Sequence, residues 1–285
     1  MTFMTKSWND LEDLQTPDYS EYNNLLIIDG NNLSYRWLQR PNHGDFKHDF
    51  VRTIQSLAKS YEAGKTIVCF DFGKSYFRKE LYDEYKQNRK KAEVSDEDKQ
   101  RFEDFFSVLN DLPEYLDDTV LKFRGVEADD IITYLAIHES KKYHHTWIVS
   151  SDRDLYQLMR SDISIFNMFS RKEITIETLI EDFKLSPELY LLSRIIEGDK
   201  GDNIYGVEGI GPKRAQALAL EYKTLDALLS AFPIPGKAKY IQNLNQSKDI
   251  LLRNSDLIDL KKNYMIALEK GKEDDVVEKL LNKLT

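Results

Sequence analysis

The chain has one cysteine among 285 residues, and no apolar run in it approaches the roughly 18–20 residues that span a bilayer. Cys69 sits inside Thr66-Ile-Val-Cys-Phe70, which excludes a disulfide framework and leaves the expectation of a buried, inert thiol. The first 22 residues are polar and carry Asp10, Glu12, Asp13, Asp18 and Glu21. They lack the basic start and apolar stretch of a signal peptide, so a loosely ordered arm on a cytoplasmic protein without a membrane partner is expected. Internal repeats and low-complexity tracts are also missing. Positive charge is in deficit: 40 Lys and Arg stand against 49 Asp and Glu, a net charge of −9. That total speaks against a nucleic-acid binder. Its distribution decides the matter, because carboxylates gathered on bound cations lose part of their charge where a polyanion must approach.

What is present is alternation. Residues 25–28, 66–70 and 146–149 are continuous apolar runs, as expected of parallel strands covered on both faces. Helical patterns over residues 50–63 and 129–142 separate them, and weaker strand signals fall at 119–123 and 163–169. The pattern predicts an α/β fold with a mostly parallel sheet flanked by helices. Residues 81–118 break the rhythm: a charged stretch leads to a helix with Phe102, Phe105, Phe106 and Leu109 at helical spacing, and Ser95 with Asp98 forms a candidate capping box. From residue 185 the strands stop and a Gly-rich segment lies between helices. The expected organisation is an arm over 1–22, a catalytic α/β domain over 23–184 containing the 81–118 insertion, a small helical domain over 185–259, and a helical tail over 260–285.

Each of the three best strands runs into acid. Residues 25–28 end at Asp29, residues 66–70 at Asp71, and residues 146–149 lead through two serines to Asp152 and Asp154. Ligands of open α/β sheets bind beyond the carboxyl ends of the strands, so parallel strands would bring these acids together. Glu127, Asp129 and Asp130 open a helix after residues 119–123, and Asp199 and Asp202 lie three apart in a turn-rich segment. Any one of them alone reads as a helix cap or a dipole partner. Nine together read as a cation site, because clustered carboxylates repel unless compensated. Oxygen donors without His or Cys suit Mg²⁺ or Mn²⁺, and two such ions about 3.5–4 Å apart serve phosphodiester cleavage.

Two segments suit phosphate. In Gly206-Val-Glu-Gly-Ile-Gly-Pro-Lys-Arg-Ala215, Gly209 and Gly211 allow a tight turn, Pro212 suits a helix start, and Lys213 and Arg214 stand beside it. This is the pattern of a helix–hairpin–helix element that grips a phosphate through backbone amides. The segment 74–91 carries Lys74, Arg78, Lys79, Lys86, Arg89, Lys90 and Lys91, interleaved with Tyr76, Phe77, Tyr82 and Tyr85. Basic side chains neutralise phosphates there and an aromatic ring can stack on an unpaired base.

On these residues the chain resembles the bacteriophage 5′ nucleases of the flap endonuclease family, whose domain also opens bacterial DNA polymerase I. The matching motifs are Ile27-Ile-Asp-Gly-Asn31, Phe70-Asp71 with Phe77-Arg78 and Tyr85-Lys86, Gly125-Val-Glu-Ala-Asp-Asp130, Ser151-Asp-Arg-Asp-Leu155, Gly198-Asp-Lys-Gly-Asp-Asn203 and Gly206 onward. The resemblance implies a PIN-like fold, a helical arch over 81–118 and a helix–hairpin–helix (H3TH-like) domain. It implies one ion on Asp71, Glu127, Asp129 and Asp130 with Asp152 nearby, and a second on Asp152, Asp154, Asp199 and Asp202. Asp29 would act through water. Lys86 and Arg89 would contact the scissile phosphate, Tyr85 would stack on the terminal base, and Lys90, Arg194, Gly206, Gly209, Gly211, Lys213 and Arg214 would hold DNA. A K⁺ at the hairpin carbonyls is a further implication. Arg194 stands where relatives are expected to carry Lys. The implied activity is 5′→3′ exonuclease and 5′-flap endonuclease on DNA with a flap, nick or free 5′ strand, by a monomer that meets a polymerase or single-strand-binding protein. The competing readings are a PIN-like ribonuclease, a flap-binding protein without catalysis, and a sugar-phosphate phosphatase, which would need another motif after the first strand.

Overall fold

The computed structural model describes residues 23–38, 46–89, 96–116, 119–271 and 276–284. The N-terminal arm, the Ser95 cap and Lys90 lie outside the described residues, as does part of the 81–118 insertion. Within them, β1 (Asn24–Asp29), β2 (Ala63–Phe70), β3 (Thr119–Lys122), β4 (His145–Val149), β5 (Ile163–Asn167) and β6 (Lys172–Ile174) form one sheet in the order β3-β2-β1-β4-β5-β6. The first five strands are parallel, and β6 pairs antiparallel with β5. β6 escapes sequence reasoning because its three residues, Lys-Glu-Ile, are exposed or half-buried and carry no apolar run.

Alternation along β1 explains why its run is wholly apolar. Leu25 and Ile27 enter one buried cluster, which also takes in α5 (Ala128–Tyr134), α12 (Leu260–Glu269) and α13 (Val276–Leu284). Leu26 and Ile28 enter the opposite cluster with α1 (Gly30–Leu38), α2 (Phe46–Ser60) and α4 (Asp96–Asp111). Each fully buried Leu or Ile contributes about 1.5–3 kcal/mol. The tail thus belongs to the core: Leu260, Leu268, Val276 and Leu280 are all buried in the first cluster. On α4, Phe105 and Leu109 turn inward while Phe106 remains 40% exposed. The helix expected over 129–142 is not uniform. It runs as α5, then a π turn over Leu135–Glu139 and a 3₁₀ turn over Ser140–Lys142, with Ser140 Oγ donating to Ala136 O at 2.7 Å.

After α3 (Tyr76–Leu81) and the sheet come α6 (Ile176–Phe183), α7 (Pro187–Glu197), the short ribbon β7 (Gly198–Asp199) and β8 (Ile204–Tyr205), then α8 (Pro212–Tyr222), α9 (Leu225–Ser230), α10 (Lys239–Asn245) and α11 (Lys248–Ile258). α7 to α11 enclose a third apolar cluster, joined by Tyr85. Ser186 caps α7 and Pro187 follows at its first position.

The α11–α12 junction is fastened by one buried amide to the 3₁₀ turn over Asp154–Leu158 that follows β4. Gln157 Nε2 donates to Ile258 O at 3.0 Å and to Asp154 O at 2.8 Å, and its Oε1 accepts from Leu260 N at 2.9 Å. Gln157→Leu leaves these buried backbone groups without partners and should destabilise the protein by about 2–4 kcal/mol. Urea unfolding of wild type and variant checks this, and a loss under about 0.5 kcal/mol would show that water replaces the amide.

Candidate active site

In-register pairing puts the strand ends on one edge. Ile28 lies opposite Val68 on one side and Val149 on the other, so Asp29, Asp71 and Asp152 emerge together just past the carboxyl ends. Asp29 is a brace. It accepts from Asn32 N at 3.0 Å and from Ser150 Oγ at 2.9 Å, while the Asn32 amide pairs with Ser151. Asp71 is fixed at both ends: its N–H donates to Asn31 Oδ1 at 2.8 Å, and its Oδ1 accepts from Ala128 N at 2.7 Å. That second bond spends the first free amide of α5 on a carboxylate. Glu127 is the extended residue just before α5. The turn leading to it needs Gly125, which has φ +81° and lies flat against the Tyr76 ring.

Glu127 takes Lys86 Nζ at 2.7 Å and the Tyr85 hydroxyl at 3.0 Å, and Arg78 lies 3.2 Å away. Asp130, placed among the ligands by sequence, is fully buried and holds the Arg78 guanidinium with both oxygens, at 2.7 and 2.8 Å. Arg78 Nε in turn donates to Leu257 O at 3.3 Å, at the end of α11. Asp130 therefore positions Arg78 against Glu127. Tyr85 also differs from the stacking role that the resemblance implies. Its ring is buried in the third apolar cluster, and its hydroxyl donates to Glu127 or Asp202, the latter at 3.1 Å. Arg89 closes a 3₁₀ turn over Gln87–Arg89.

Across the edge, Asp152 Oδ1 accepts from Asp154 N at 2.9 Å. Asp154, Asp199 and Asp202 each bring one oxygen within 4.8 Å of the others, a spacing that a single cation can span. Arg194 lies inside this group rather than on an outer DNA-facing surface: its Nη2 is 3.2 Å from Asp154 and 2.6 Å from Asp199. Lys86 reaches from Glu127 to within 3.7 Å of Asp202, and its own amide donates to Asp202 O at 2.8 Å. The two groups of acids are thus one continuous array.

Its electrostatics are unbalanced. Burial raises Asp29 and Asp154 to about 7, with Asp71 adding to the first shift and Asp152 to the second. Asp71, Asp129 and Asp152 are pushed up for the same reasons: burial first, then neighbouring carboxylates. Glu127 is the exception, because Lys86 and Arg78 overcome its burial and hold it below the usual range. Burial opposes the charges of Lys86 and Arg194 too, but the facing carboxylates win and raise both. A donor set made only of carboxylates, several of them close enough together to raise each other's pKa, fits a hard divalent cation.

The hairpin between β8 and α8 takes the shape its glycines allow. A side chain at Gly206 would meet Glu197 O at 2.0 Å, so the chain can cross α7 only there as glycine. Gly209 has φ +80°, and Gly211 caps α8 with nothing within 4 Å of a would-be side chain. Arg214 Nη1 donates to Gly209 O at 2.6 Å and its guanidinium lies 4.5 Å from the centre of the Tyr240 ring. Lys213 is exposed beside it.

Sequence reasoning missed Gln157, Ser150 and Asn32, and it counted Arg78 among the basic residues of 74–91 that neutralise phosphates, whereas Arg78 is buried and committed to Asp130 and Glu127. The two serines before Asp152 and the asparagines after Asp29 were the available signal, since such side chains commonly satisfy nearby carboxylates and turns.

Residues 24–184 match the family model described as 5′-3′ exonuclease, N-terminal resolvase-like domain, and residues 185–277 match that described as 5′-3′ exonuclease, C-terminal SAM fold. The chain is 39% identical to the flap endonuclease of Escherichia phage T5, over 97% of this chain and 96% of that one. It is 29% identical to a 5′-3′ exonuclease of Mycoplasmopsis pulmonis, over 94% and 92%. Among solved structures, the bacteriophage T5 flap endonuclease in a pseudo-enzyme-product complex with DNA and metal ions superposes with a TM-score of 0.87 at 38% identity, covering 92% of this chain and 98% of that one.

The raised Asp29 carries a consequence for stability. Unfolded, it ionises near 3.9, whereas in the fold it keeps its proton up to about 7. Without metal, its stabilising contribution is complete below about pH 4 and lost as pH rises through about 7. Asp29→Asn stays neutral, so its stability relative to wild type should improve by on the order of 2–4 kcal/mol between pH 4 and pH 8. Denaturation of both metal-free proteins across that range measures it, and parallel pH profiles would refute the assignment.

Proposed function

The chain belongs to the 5′-3′ exonuclease family, and we propose that it is a structure-specific 5′ nuclease that hydrolyses DNA phosphodiester bonds with two divalent ions. The observation that carries this reading is the single array of carboxylates running from Asp71 to Asp202, across the joint between the sheet and the helical domain. One group, Asp71, Glu127 and Asp129 with Asp152, comes from the sheet and the start of α5. The other, Asp154, Asp199 and Asp202 shared with Asp152, spans that joint. Mg²⁺ is the fitting ion and Mn²⁺ its substitute. When bound, the ions would supply Lewis acidity and compensate negative charge at the scissile phosphate.

The protein's own groups do the rest. Asp130 and Arg78 hold Glu127 in place, and Asp29 with Ser150 and Asn32 holds the strand ends apart at a set spacing. Lys86, already charged and facing the array, is placed to turn from Glu127 to a phosphate oxygen as negative charge develops there. Arg194 is placed to release Asp154 and Asp199 to a cation and remain as a counter-charge. The hairpin amides around Gly209 and Gly211, with Lys213 and Arg214, grip the duplex phosphates without reading bases. A K⁺ would share the Gly209 carbonyl that Arg214 contacts. Preferred substrates are 5′ flaps, nicks and free 5′ strands, and the enzyme acts as a monomer beside a polymerase or single-strand-binding protein in the cytoplasm where replication occurs. Among the described residues no helix is long and apolar enough to cross a membrane.

Two variants test this. Asp152→Asn touches both groups and should lower Mg²⁺-dependent cleavage of a 5′-labelled flap by about 10³-fold or more, with flap binding in Ca²⁺ within a few-fold of wild type. Cleavage near the wild-type rate would defeat the two-ion reading. Lys86→Ala should slow single-turnover cleavage by about 10²–10³-fold, and an unchanged rate would remove Lys86 from the chemistry. RNA run in parallel should be the poorer substrate, whereas preferential RNA cleavage would favour a ribonuclease.

A further inference from the structure

Lys86 holds a backbone conformation that a lysine rarely adopts: its φ is +55°, in the left-handed region. The consequence shows in where two neighbours point. Consecutive residues of an extended chain face opposite ways. Here the Tyr85 hydroxyl and Lys86 Nζ meet the same Glu127 carboxylate, at 3.0 and 2.7 Å. The ammonium lies 4.9 Å from the centre of the Tyr85 ring. The left-handed bend at Lys86 is what brings both side chains to one side. Such a conformation persists only where the surroundings hold it.

The turn between β7 and β8 holds it. Lys86 N–H donates to Asp202 O at 2.8 Å. On one side of that bond Asn203 Nδ2 donates to Glu84 O at 2.9 Å, and on the other Asn88 Nδ2 donates to Lys200 O at 2.6 Å. Residues 84, 86 and 88 are thereby tied in order to residues 203, 202 and 200, so the chain around Lys86 runs antiparallel along the turn. Asn203 is itself left-handed, at φ +61°, which asparagine tolerates better than most residues. Its N–H closes the turn onto Lys200 O at 3.3 Å. The Asn203 side chain is half-buried and that of Asn88 is exposed, so the Asn203 bond is the better shielded from water. Nothing in the proposed chemistry uses either asparagine.

We propose that Asn203 is a positioning residue for cleavage: through Glu84 O it holds the chain before Lys86 against the turn that carries Asp202, and so sets where the Lys86 ammonium stands relative to the acids. Asn88 supports it from the other side. This rests on the nuclease reading above, with Lys86 acting at the phosphate. The chemical reason lies in the side chain. Lysine is a point charge on a flexible four-carbon stem, so its aim is only as good as the backbone beneath it. One turn presents Asp199 and Asp202 and also grips the chain on both sides of Lys86. Acids and cation then move together when DNA loads the helical domain. Asn203 itself touches no reacting atom and acts through Lys86.

The test is single-turnover cleavage of a 5′-labelled flap DNA in Mg²⁺ by wild type, Asn203→Gly, Lys86→Ala and the double variant. Glycine keeps the left-handed backbone and removes only the amide. Asn203→Gly should slow cleavage by about 10–100-fold, the loss expected of a displaced group. Its flap affinity in Ca²⁺ should stay within about twofold of wild type, and raising Mg²⁺ should not restore the rate. In the Lys86→Ala background the same change should cost less than about twofold, because nothing is left to position. Asn88→Ala, at an exposed side chain, should lose rate in the same pattern, and it decides the matter if the glycine variant does not fold. An equal loss with and without Lys86 would show that Asn203 acts elsewhere, and recovery at high Mg²⁺ would show that it acts through Asp202. Either result, or an unchanged rate in Asn203→Gly or Lys86→Ala, overturns the positioning role and leaves the nuclease reading standing. Absence of cleavage by wild type would bring down both.

Discussion

Repulsion among carboxylates that parallel strands force to one edge is the constraint on which the rest of the structure depends. In-register pairing of β2, β1 and β4 brings the strand ends to one edge, so Asp29, Asp71 and Asp152 emerge there together. The burial that makes the sheet stable also makes those charges costly. The polar architecture answers this cost. Asn32 and Ser150 hold Asp29, the first amide of α5 holds Asp71, and Arg78 with Lys86 holds Glu127. Three basic side chains contact the array among the described residues: Arg78, Lys86 and Arg194. They leave a surplus of negative charge that divalent cations would complete.

Arg78 and Gln157 show how the two halves of the molecule share this site. Arg78 joins Glu127 and Asp130 to the last turn of α11, and Gln157 joins the Asp154 backbone to the residues on either side of the α11–α12 turn. Both are buried, so neither bond competes with water. Movement of the helical domain on a duplex would be felt by both groups of acids through these two side chains. The negative total charge is then no obstacle to acting on a polyanion, because much of it lies where cations bind and the hairpin presents its own amides and bases elsewhere.

Much of this was legible in the sequence. Residues 25–28, 66–70 and 146–149 could be read as covered parallel strands because both faces of each are apolar, and Asp29, Asp71 and Asp152 could be placed because they come at or just after the ends of those strands. The hairpin could be read because Gly209, Gly211 and Pro212 each answer a backbone demand. What was not legible depends on contacts far apart in the chain. Asp130 carries the same side chain as its neighbours, and only the fold reveals that Arg78, 52 residues earlier, takes both its oxygens. Tyr85 reads as an exposed stacking ring in a charged segment, yet helices 100 residues later bury it. β6 has no apolar signal because it is a short, exposed edge.

The most direct test of this account is titration of the metal-free protein with Ca²⁺, which binds oxygen donors without supporting fast hydrolysis, followed by calorimetry and by thermal unfolding. The account predicts saturable uptake of more than one ion and a Tm that rises with ion concentration, since a ligand that binds only the folded state stabilises it by mass action. Neutralising Asp154 and Asp199 together should remove one class of site and spare the other. A protein whose Tm is indifferent to millimolar Ca²⁺, Mg²⁺ and Mn²⁺ alike would contradict it, because its carboxylates would then be balanced without a cation.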